Sequence, residues 1–249
     1  MGKRTLLFVT LVMGSCLTPG VVAGAETAAT ETAAGRTTIA VRTDLGLRSS
    51  TGAAHAPRGA LSLAKLYLVD YALRHGDGSA ADRELGERMI RYSDDAAADG
   101  LAVKYPQAID AVAAEYGLTA TGAGGHWSVA STSSADVAEF LHVKTRSDPA
   151  SPILAWMATA GEYAADGTPQ DWGTARLPGV LGTKWGWSDI GTPEVASVSF
   201  GPGFTVAAHT YGTSADQTAD VLAALPHMLA GLAGMPPDLQ QWGIIAGGA

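Results

Sequence analysis

One serine and one lysine stand at a spacing that suits nucleophilic catalysis. Lys65 follows Ser62 by three residues, in the only Ser-x-x-Lys of the 249-residue chain. On a helix this spacing stacks two side chains on one face, within reach of a hydrogen bond. An apolar helix would desolvate the lysine and lower its pKa, so that a neutral amine takes the serine proton. Ser62 is therefore a candidate nucleophile and Lys65 its candidate base.

Two further motifs place polar side chains where a ligand can be held. Ser93 is followed by Asp94 and Asp95 between two predicted helices, although Ser and Asp at such a position also serve as ordinary helix caps. Lys184 opens a predicted strand, and Gly186, two residues on, lets a ligand approach the backbone closely. A lysine on an edge strand also discourages aggregation, so each motif alone has a structural explanation.

The elements that would position these motifs follow from the periodicity of the apolar residues. Strands are predicted at 37–43, 47–50, 182–187, 195–200 and 204–211. Helices are predicted at 62–75, 80–91, 94–104, 106–116, 133–143, 150–163 and 214–232. This order predicts one α+β domain over 37–233, with an antiparallel sheet built from both chain ends and a helical cluster inserted between them.

Composition excludes several classes of protein. Hydrophobic residues make up 47% of the chain and charged residues 16%, which is typical of a globular protein. The net charge of −8 argues against a nucleic-acid partner. Cys16 is the single cysteine, so an internal disulfide framework and a cysteine zinc site are both excluded. The motifs predict neither a metal nor a cofactor, and the sequence carries no signal of an oligomeric state.

The N-terminal residues are typical of an export signal. Residues 1–25 combine a basic start, an apolar run and the cleavage site Ala23-Gly24-Ala25. A lipid anchor at Cys16 is the alternative, and either form of processing places the protein outside the cytoplasmic membrane. Residues 26–36 predict a disordered leader and 234–249 a C-terminal tail. No stretch of the mature chain is long and apolar enough to predict a transmembrane span.

Together and in this order, the three motifs resemble those of the serine β-lactamase and penicillin-binding protein superfamily, especially the class A β-lactamase branch. That superfamily uses Ser-x-x-Lys on a buried helix, Ser-x-Asn between helices, and Lys-Thr-Gly or Lys-Ser-Gly on a strand. Here Ser62-Leu63-Ala64-Lys65, Ser93-Asp94-Asp95 and Lys184-Trp185-Gly186 stand in the same order and settings. The resemblance implies a β-lactamase/transpeptidase-like fold over about residues 37–233.

The resemblance also implies a role for each matching residue. Ser62 would be acylated and Lys65 would activate it, while Ser93 would relay a proton to the leaving nitrogen. Lys184 would attract a substrate carboxylate and keep the Ser93 hydroxyl poised. The backbone amides of Ser62 and Trp187 would form the oxyanion hole.

Three positions depart from the family pattern. Asp95 stands where the family has Asn. A carboxylate can only accept hydrogen bonds, so Asp95 is expected to bind the substrate less tightly than Asn would. Trp185 replaces a hydroxyl residue, and its indole is expected to narrow the cleft. Residues 118–134 contain no Asp or Glu, whereas class A enzymes place there the glutamate that activates the deacylating water.

These observations predict an exported serine hydrolase that forms an acyl-enzyme with β-lactams or cell-wall D-alanyl peptides and deacylates slowly. Two alternatives remain open from the sequence. The chain could be a catalytically weakened relative that binds a cell-wall peptide or a protein partner through the same cleft. It could also be an unrelated cell-envelope domain in which the motifs occur by chance.

Overall fold

The computed structural model describes residues 35–232, so the predicted signal peptide 1–25, residues 26–34 of the predicted leader and the predicted tail 234–249 lie outside the described residues. The strands are β1 (Thr37–Thr43), β2 (Arg48–Ser50), β3 (Arg58–Gly59), β4 (Ser131–Thr132), β5 (Gly182–Trp187), β6 (Glu194–Gly201) and β7 (Phe204–Tyr211). The helices are α1 (Ala64–His75), α2 (Ala80–Arg91), α3 (Asp95–Lys104), α4 (Ala108–Tyr116), α5 (Ser134–Ser147), α6 (Pro152–Ala158) and α7 (Ser214–Leu232).

Five of the strands form an antiparallel sheet in the order β2-β1-β7-β6-β5. β1, from the start of the domain, pairs with β7 along its whole length, from Thr37 opposite Thr210 to Thr43 opposite Phe204. β5 lies at one edge of this sheet and pairs with β6. The predicted α+β architecture, with the sheet drawn from both ends of the chain around an inserted helical cluster, is confirmed.

The sheet separates two apolar layers. Side chains alternate between the faces of a strand, so Ile39 and Val41 of β1 pack with Val221 and Met228 of α7, whereas Ala40 faces the helical cluster. Helix α5 packs against β1 and β7 on the cluster side. The main core therefore lies between the sheet and helices α1 to α6.

Helix α1 is the centre of the helical cluster and contacts α2, α3 and α4. Leu66, Leu68 and Val69 on this helix are at most 2% exposed, and burying each such side chain contributes about 1.5–3 kcal/mol. All residues from Ala64 to Asp70 are buried, so the helix forms a firm support for residues at its N-terminus.

The predicted helix 150–163 is wrong in length, because α6 ends at Ala158. The N–H of Gly161 donates instead to the carbonyl of Arg91 at 2.9 Å. A Cβ on Gly161 would lie 2.8 Å from the Tyr92 ring, so the backbone packs directly on that ring and turns away from the helix axis. The sequence also does not predict the two-residue pair β3 and β4, because such short strands carry no periodicity.

Helix α7 is tied to the start of the domain through Arg36, the last residue of the predicted leader. The Arg36 guanidinium pairs with Asp220 at 2.8 Å and with Asp216 at 2.9 Å. Arg36, the residue before β1, is therefore part of the folded domain. Neither α7 nor any other helix within 35–232 is both long and apolar enough to cross a membrane.

Candidate active site

Ser62 and Lys65 are held together at the N-terminus of α1. Ser62 lies in a single 3₁₀ turn, Leu61–Leu63, that leads directly into the helix. The Nζ of Lys65 is 2.6 Å from the Oγ of Ser62, and the Lys65 side chain is fully buried while Ser62 is half-buried. The predicted pair is therefore in hydrogen-bond contact, with the hydroxyl at the surface and the amine beneath it.

Ser93 joins this pair to the third motif. Its Oγ accepts a hydrogen bond from Lys184 Nζ at 2.8 Å and lies 3.5 Å from Lys65 Nζ. The carbonyl of Ser93 accepts from Lys65 Nζ at 2.9 Å. Lys184 also donates to the carbonyl of Trp185 at 2.9 Å. The Ser93 hydroxyl thus lies between the two buried amines, where it can pass a proton from one side of the cleft to the other.

Backbone strain is concentrated at the same place. Leu61 and Ser93 have φ values of 51° and 53°, and they are the non-glycine residues with positive φ in the described part of the chain. Such a conformation costs on the order of 1–3 kcal/mol and persists only where the surrounding structure imposes it. Leu61 immediately precedes the candidate nucleophile Ser62, and Ser93 itself lines the cleft. Both strained residues therefore fix the position of groups at the cleft.

Burial lowers the pKa of both lysines. Desolvation lowers the pKa of Lys65, while the carboxylate of Asp95, 2.5 Å from its Nζ, acts in the opposite direction. Burial also places the pKa of Lys184 well below its usual value, and the nearby charge of Lys65 lowers it further. The site therefore favours loss of a proton from the lysines, as a general base requires.

The edge strand β5 passes directly beside the nucleophile. A Cβ on Gly186 would lie 2.7 Å from the backbone N of Ser62, so this contact requires glycine. Ser188 N–H donates to the carbonyl of Glu194, on the adjoining strand β6, at 2.9 Å. Because bonding alternates along an antiparallel pair, the N–H of Trp187 faces the open edge. The amides of Ser62 and Trp187 therefore border the same cleft.

A cavity of about 240 Å³ opens beside these groups. Its lining consists of Ser62, Ser93, Asp95, Ala165, Asp166, Trp187 and Asp189. Within residues 35–232 no group of histidine, cysteine and acidic side chains is arranged to hold a metal ion. A larger groove of about 490 Å³ lies between β1, β7 and α7, but its lining is apolar and it contains no nucleophile.

Solved structures share this arrangement of elements. The β-lactamase of Sphaerobacter thermophilus matches with a TM-score of 0.63 at 13% identity, over 85% of this chain and 97% of that protein. The class A β-lactamase of Mycobacterium abscessus matches with a TM-score of 0.61 at 14% identity, over 85% and 100%. Penicillin-binding protein D2 of Listeria monocytogenes, in its ampicillin-bound form, matches with a TM-score of 0.59 at 16% identity, over 78% and 96%.

The chain has the serine β-lactamase and penicillin-binding protein fold. No protein-family model and no curated protein matches the sequence. Within this β-lactamase-like fold the structure brings Ser62, Lys65, Ser93 and Lys184 into one connected group. Asp95, Gly186 and Trp187, which were expected to bind substrate, border the same cleft.

Trp185 is the exception, and the expectation that its indole narrows the cleft is wrong. The side chain is 5% exposed and packs with Trp172 and Val195. Its Nε1 donates to the carbonyl of Trp172 at 2.9 Å. The neighbouring Lys184 lies on the opposite face of the strand, where its amine reaches Ser93 Oγ. Trp187, two positions later, lines the cleft instead.

The acid-free loop 118–134 places an indole over the candidate base. The ring centroid of Trp127 lies 4.5 Å from Lys65 Nζ, a cation–π geometry. Trp127 Nε1 donates to Asp99 at 2.7 Å, which fixes the ring. His126 is exposed beside it, with its Nδ1 2.9 Å from the Ser128 hydroxyl. In this β-lactamase-like fold the loop thus brings an aromatic ring, and no carboxylate of its own, to the amine.

Sequence reasoning missed one wall of the cleft, a small hairpin over residues 161–170. Tyr163 pairs with Pro169 across it, and Asp166 stands at its tip before Gly167, whose φ is 88°. Asp166 accepts hydrogen bonds from Trp187 Nε1 at 3.2 Å and from the N–H of Thr168 at 2.8 Å. The Asp-Gly pair is a hairpin signal that the predicted helix 150–163 obscured. Asp166 is therefore an additional cleft residue of this β-lactamase-like fold.

Proposed function

We propose that the protein is an exported serine hydrolase that forms an acyl-enzyme at Ser62 with β-lactams or cell-wall D-alanyl peptides and deacylates it slowly. The observation that carries this proposal is the connected group at the cleft. Lys65 Nζ lies 2.6 Å from Ser62 Oγ, and Ser93 Oγ lies 2.8 Å from Lys184 Nζ. Nucleophile, base and relay are then in contact in one structure.

The acylation step uses groups already in place. Ser62 Oγ attacks the carbonyl carbon of the lactam or peptide, and its proton passes to the neutral Nζ of Lys65. The new C–O bond gives a tetrahedral intermediate, and the collapse of this intermediate breaks the C–N bond. The proton returns through Ser93 Oγ to the leaving nitrogen, so Lys65 is neutral again when the ester is complete. Lys65 Nζ lies 3.5 Å from Ser93 Oγ, within reach of this second transfer.

The backbone amides of Ser62 and Trp187 stabilise the negative charge that develops on the carbonyl oxygen. Preorganised amide donors of this kind stabilise a tetrahedral intermediate by several kcal/mol, roughly 2.7–4 for one donor. Lys184 holds the Ser93 hydroxyl at 2.8 Å and keeps it oriented for the proton transfer.

A second candidate function rests on Asp95. Its carboxylate lies 2.5 Å from Lys65 Nζ and stabilises the charged amine, which cannot act as a base. A cleft held in that state would bind a cell-wall peptide or a protein partner without acyl transfer. Acyl transfer predicts that penicillin labels the protein covalently, whereas the binding function predicts no covalent label.

Labelling with a fluorescent penicillin tests the proposal directly. We expect the wild-type protein to gain the mass of one intact penicillin, with the adduct on the peptide that contains Ser62. In Ser62→Ala the adduct should be absent. Labelling that persists undiminished in Ser62→Ala overturns the assignment of the nucleophile, and an unlabelled wild-type protein supports the binding function.

Asp95→Asn is expected to move the pH profile of acylation to lower pH. The rate rises with pH as Lys65 loses its proton, and the Asp95 carboxylate raises the pKa of that amine against the effect of burial. Removing an adjacent opposite charge changes a pKa by about 1–3 units. The midpoint should therefore fall by on the order of 1 unit when labelling rates are measured across the neutral and alkaline range.

Asp189→Asn is the matched control for this shift. Asp189 lines the same cavity, but it is not among the groups that alter the pKa of Lys65. Its replacement should leave the midpoint in place. A midpoint that is unchanged or higher in Asp95→Asn contradicts the role of Lys65 as the titrating base.

A further inference from the structure

The cleft around Ser62 is lined by negative charge. Asp95, Asp166 and Asp189 belong to its lining, and all three are exposed to solvent. The lining within residues 35–232 contains no lysine, arginine or histidine. A ligand that approaches Ser62 therefore meets carboxylates on several sides.

Of the two lysines of the site, Lys65 forms an ion pair with Asp95 at 2.5 Å, but neither lysine lies in ion-pair contact with Asp166 or Asp189. Lys65 and Lys184 are both 0% exposed. Their amines are already bonded to Ser93, to Asp95 and to the carbonyl of Trp185. Burial also lowers the pKa of both lysines.

Asp166 is fixed in its position. Its two carboxylate oxygens accept hydrogen bonds from Thr168 N–H at 2.8 Å and from Trp187 Nε1 at 3.2 Å. The hairpin that carries it is bonded to the backbone beside Ser93, because Ala165 N–H donates to the Tyr92 carbonyl at 2.7 Å. A ligand therefore cannot displace this charge by a simple side-chain rotation.

We propose that the cleft selects acyl donors that carry a cationic group, such as an ammonium, close to the reacting carbonyl, and disfavours donors with an additional carboxylate there. This inference rests on the acyl transfer to Ser62 proposed above and names its substrate class. Each partly exposed charge pair contributes little by itself. Asp166 and Asp189, which are not paired with a lysine of the site, nevertheless act in the same direction on one bound group, so their effects add.

Three penicillins with the same phenylacetyl core test this selection. Benzylpenicillin has hydrogen at the α-carbon, ampicillin an amine and carbenicillin a carboxylate. At about pH 6 the amine is charged. We expect the second-order acylation rate to fall in the order ampicillin, benzylpenicillin, carbenicillin, with a total difference on the order of tenfold. Added salt should reduce this difference.

Charge-neutralising variants locate the effect. In the double variant Asp166→Asn with Asp189→Asn the three rates should converge. The matched control Glu84→Gln also removes one carboxylate, but Glu84 is exposed on α2 and does not line the cleft, so the order should persist. Equal rates in the wild-type protein, a reversed order, or an order that survives the double variant would each overturn the inference.

Binding to Ser62→Ala separates this inference from the proposed function. The affinity of that variant for the same three penicillins, measured by NMR titration, needs no acyl transfer. If the wild-type protein is not acylated but the affinities follow the same order, the proposed chemistry fails and the charge selection stands. If acylation occurs without preference for the ammonium, the chemistry stands and the selection fails. If no penicillin binds, the selection is overturned as well.

Discussion

Lys65→Ala is expected to lower the rate of penicillin acylation by about 10²–10⁴-fold, the usual contribution of a general base. The Nζ of Lys65 is the amine in contact with Ser62 Oγ, at 2.6 Å, and burial favours its neutral form. Without it the serine proton has no acceptor next to the reacting oxygen. The measurement is the time course of labelling with a fluorescent penicillin, followed by gel and by intact mass.

Two variants distinguish this role from a loss of folding. Lys104 is partly exposed and pairs with Asp77 and Asp82 outside the cleft, so Lys104→Ala also removes a lysine but should be labelled at the wild-type rate. Lys65→Arg keeps a positive charge with a pKa too high for a base, and should be as slow as Lys65→Ala. Thermal unfolding monitors the fold of each variant. A Lys65→Ala protein acylated at the normal rate would show that another group takes the proton.

Acylation is expected to produce a burst of one equivalent followed by very slow turnover of a chromogenic β-lactam. Loop 118–134 contains no acidic residue, and Trp127 covers Lys65 with its ring at 4.5 Å. A hydrolytic water there has no carboxylate of the loop to activate it. Stopped-flow absorbance measures the burst, and intact mass follows the decay of the ester.

Trp127→Glu should accelerate the slow step, which is hydrolysis of the acyl-enzyme. A carboxylate at this position would be near Lys65 and could act as a general base, which contributes about 10²–10⁴-fold where the geometry is favourable. Trp127→Gln is the matched control, because it has the same shape as Glu without the charge. Deacylation should accelerate in Trp127→Glu alone. Rapid steady-state hydrolysis by the wild-type protein, with no acyl-enzyme visible by mass, would identify another base, with His126 or a water held by Lys65 as candidates.

The secondary structure of the helical cluster was predictable because its residues satisfy local rules. α2 was expected at 80–91 and lies at Ala80–Arg91, with Ser79 capping it through the N–H of Asp82. The three motifs were equally predictable from the sequence, since each lies at the start of a helix or on a strand with clear periodicity. Their contacts at Ser62, Lys65 and Lys184 follow once the fold brings those elements together.

The remaining features depend on contacts that local patterns do not contain. The burial of Trp185 depends on its packing with Trp172 and Val195 and on the hydrogen bond from its Nε1 to the Trp172 carbonyl, contacts that the strand motif does not contain. The end of α6 at Ala158 is set by Gly161 packing on Tyr92, a contact distant in sequence. Asp166 was missed for a different reason, because the predicted helix 150–163 covers the start of the hairpin that carries it.

The hairpin 161–170 has a consequence for the mobility of the cleft. Gln170 Nε2 donates to the carbonyls of Arg91 and Gly161, and Ala165 N–H donates to Tyr92, so the hairpin and the segment before Ser93 form one hydrogen-bonded unit. Two walls joined in this way lose little conformational entropy when a ligand binds, which favours affinity. The amide hydrogens of Gly161 and Ala165 should consequently exchange with deuterium slowly and at similar rates. Exchange at either amide requires the whole hydrogen-bonded unit to open.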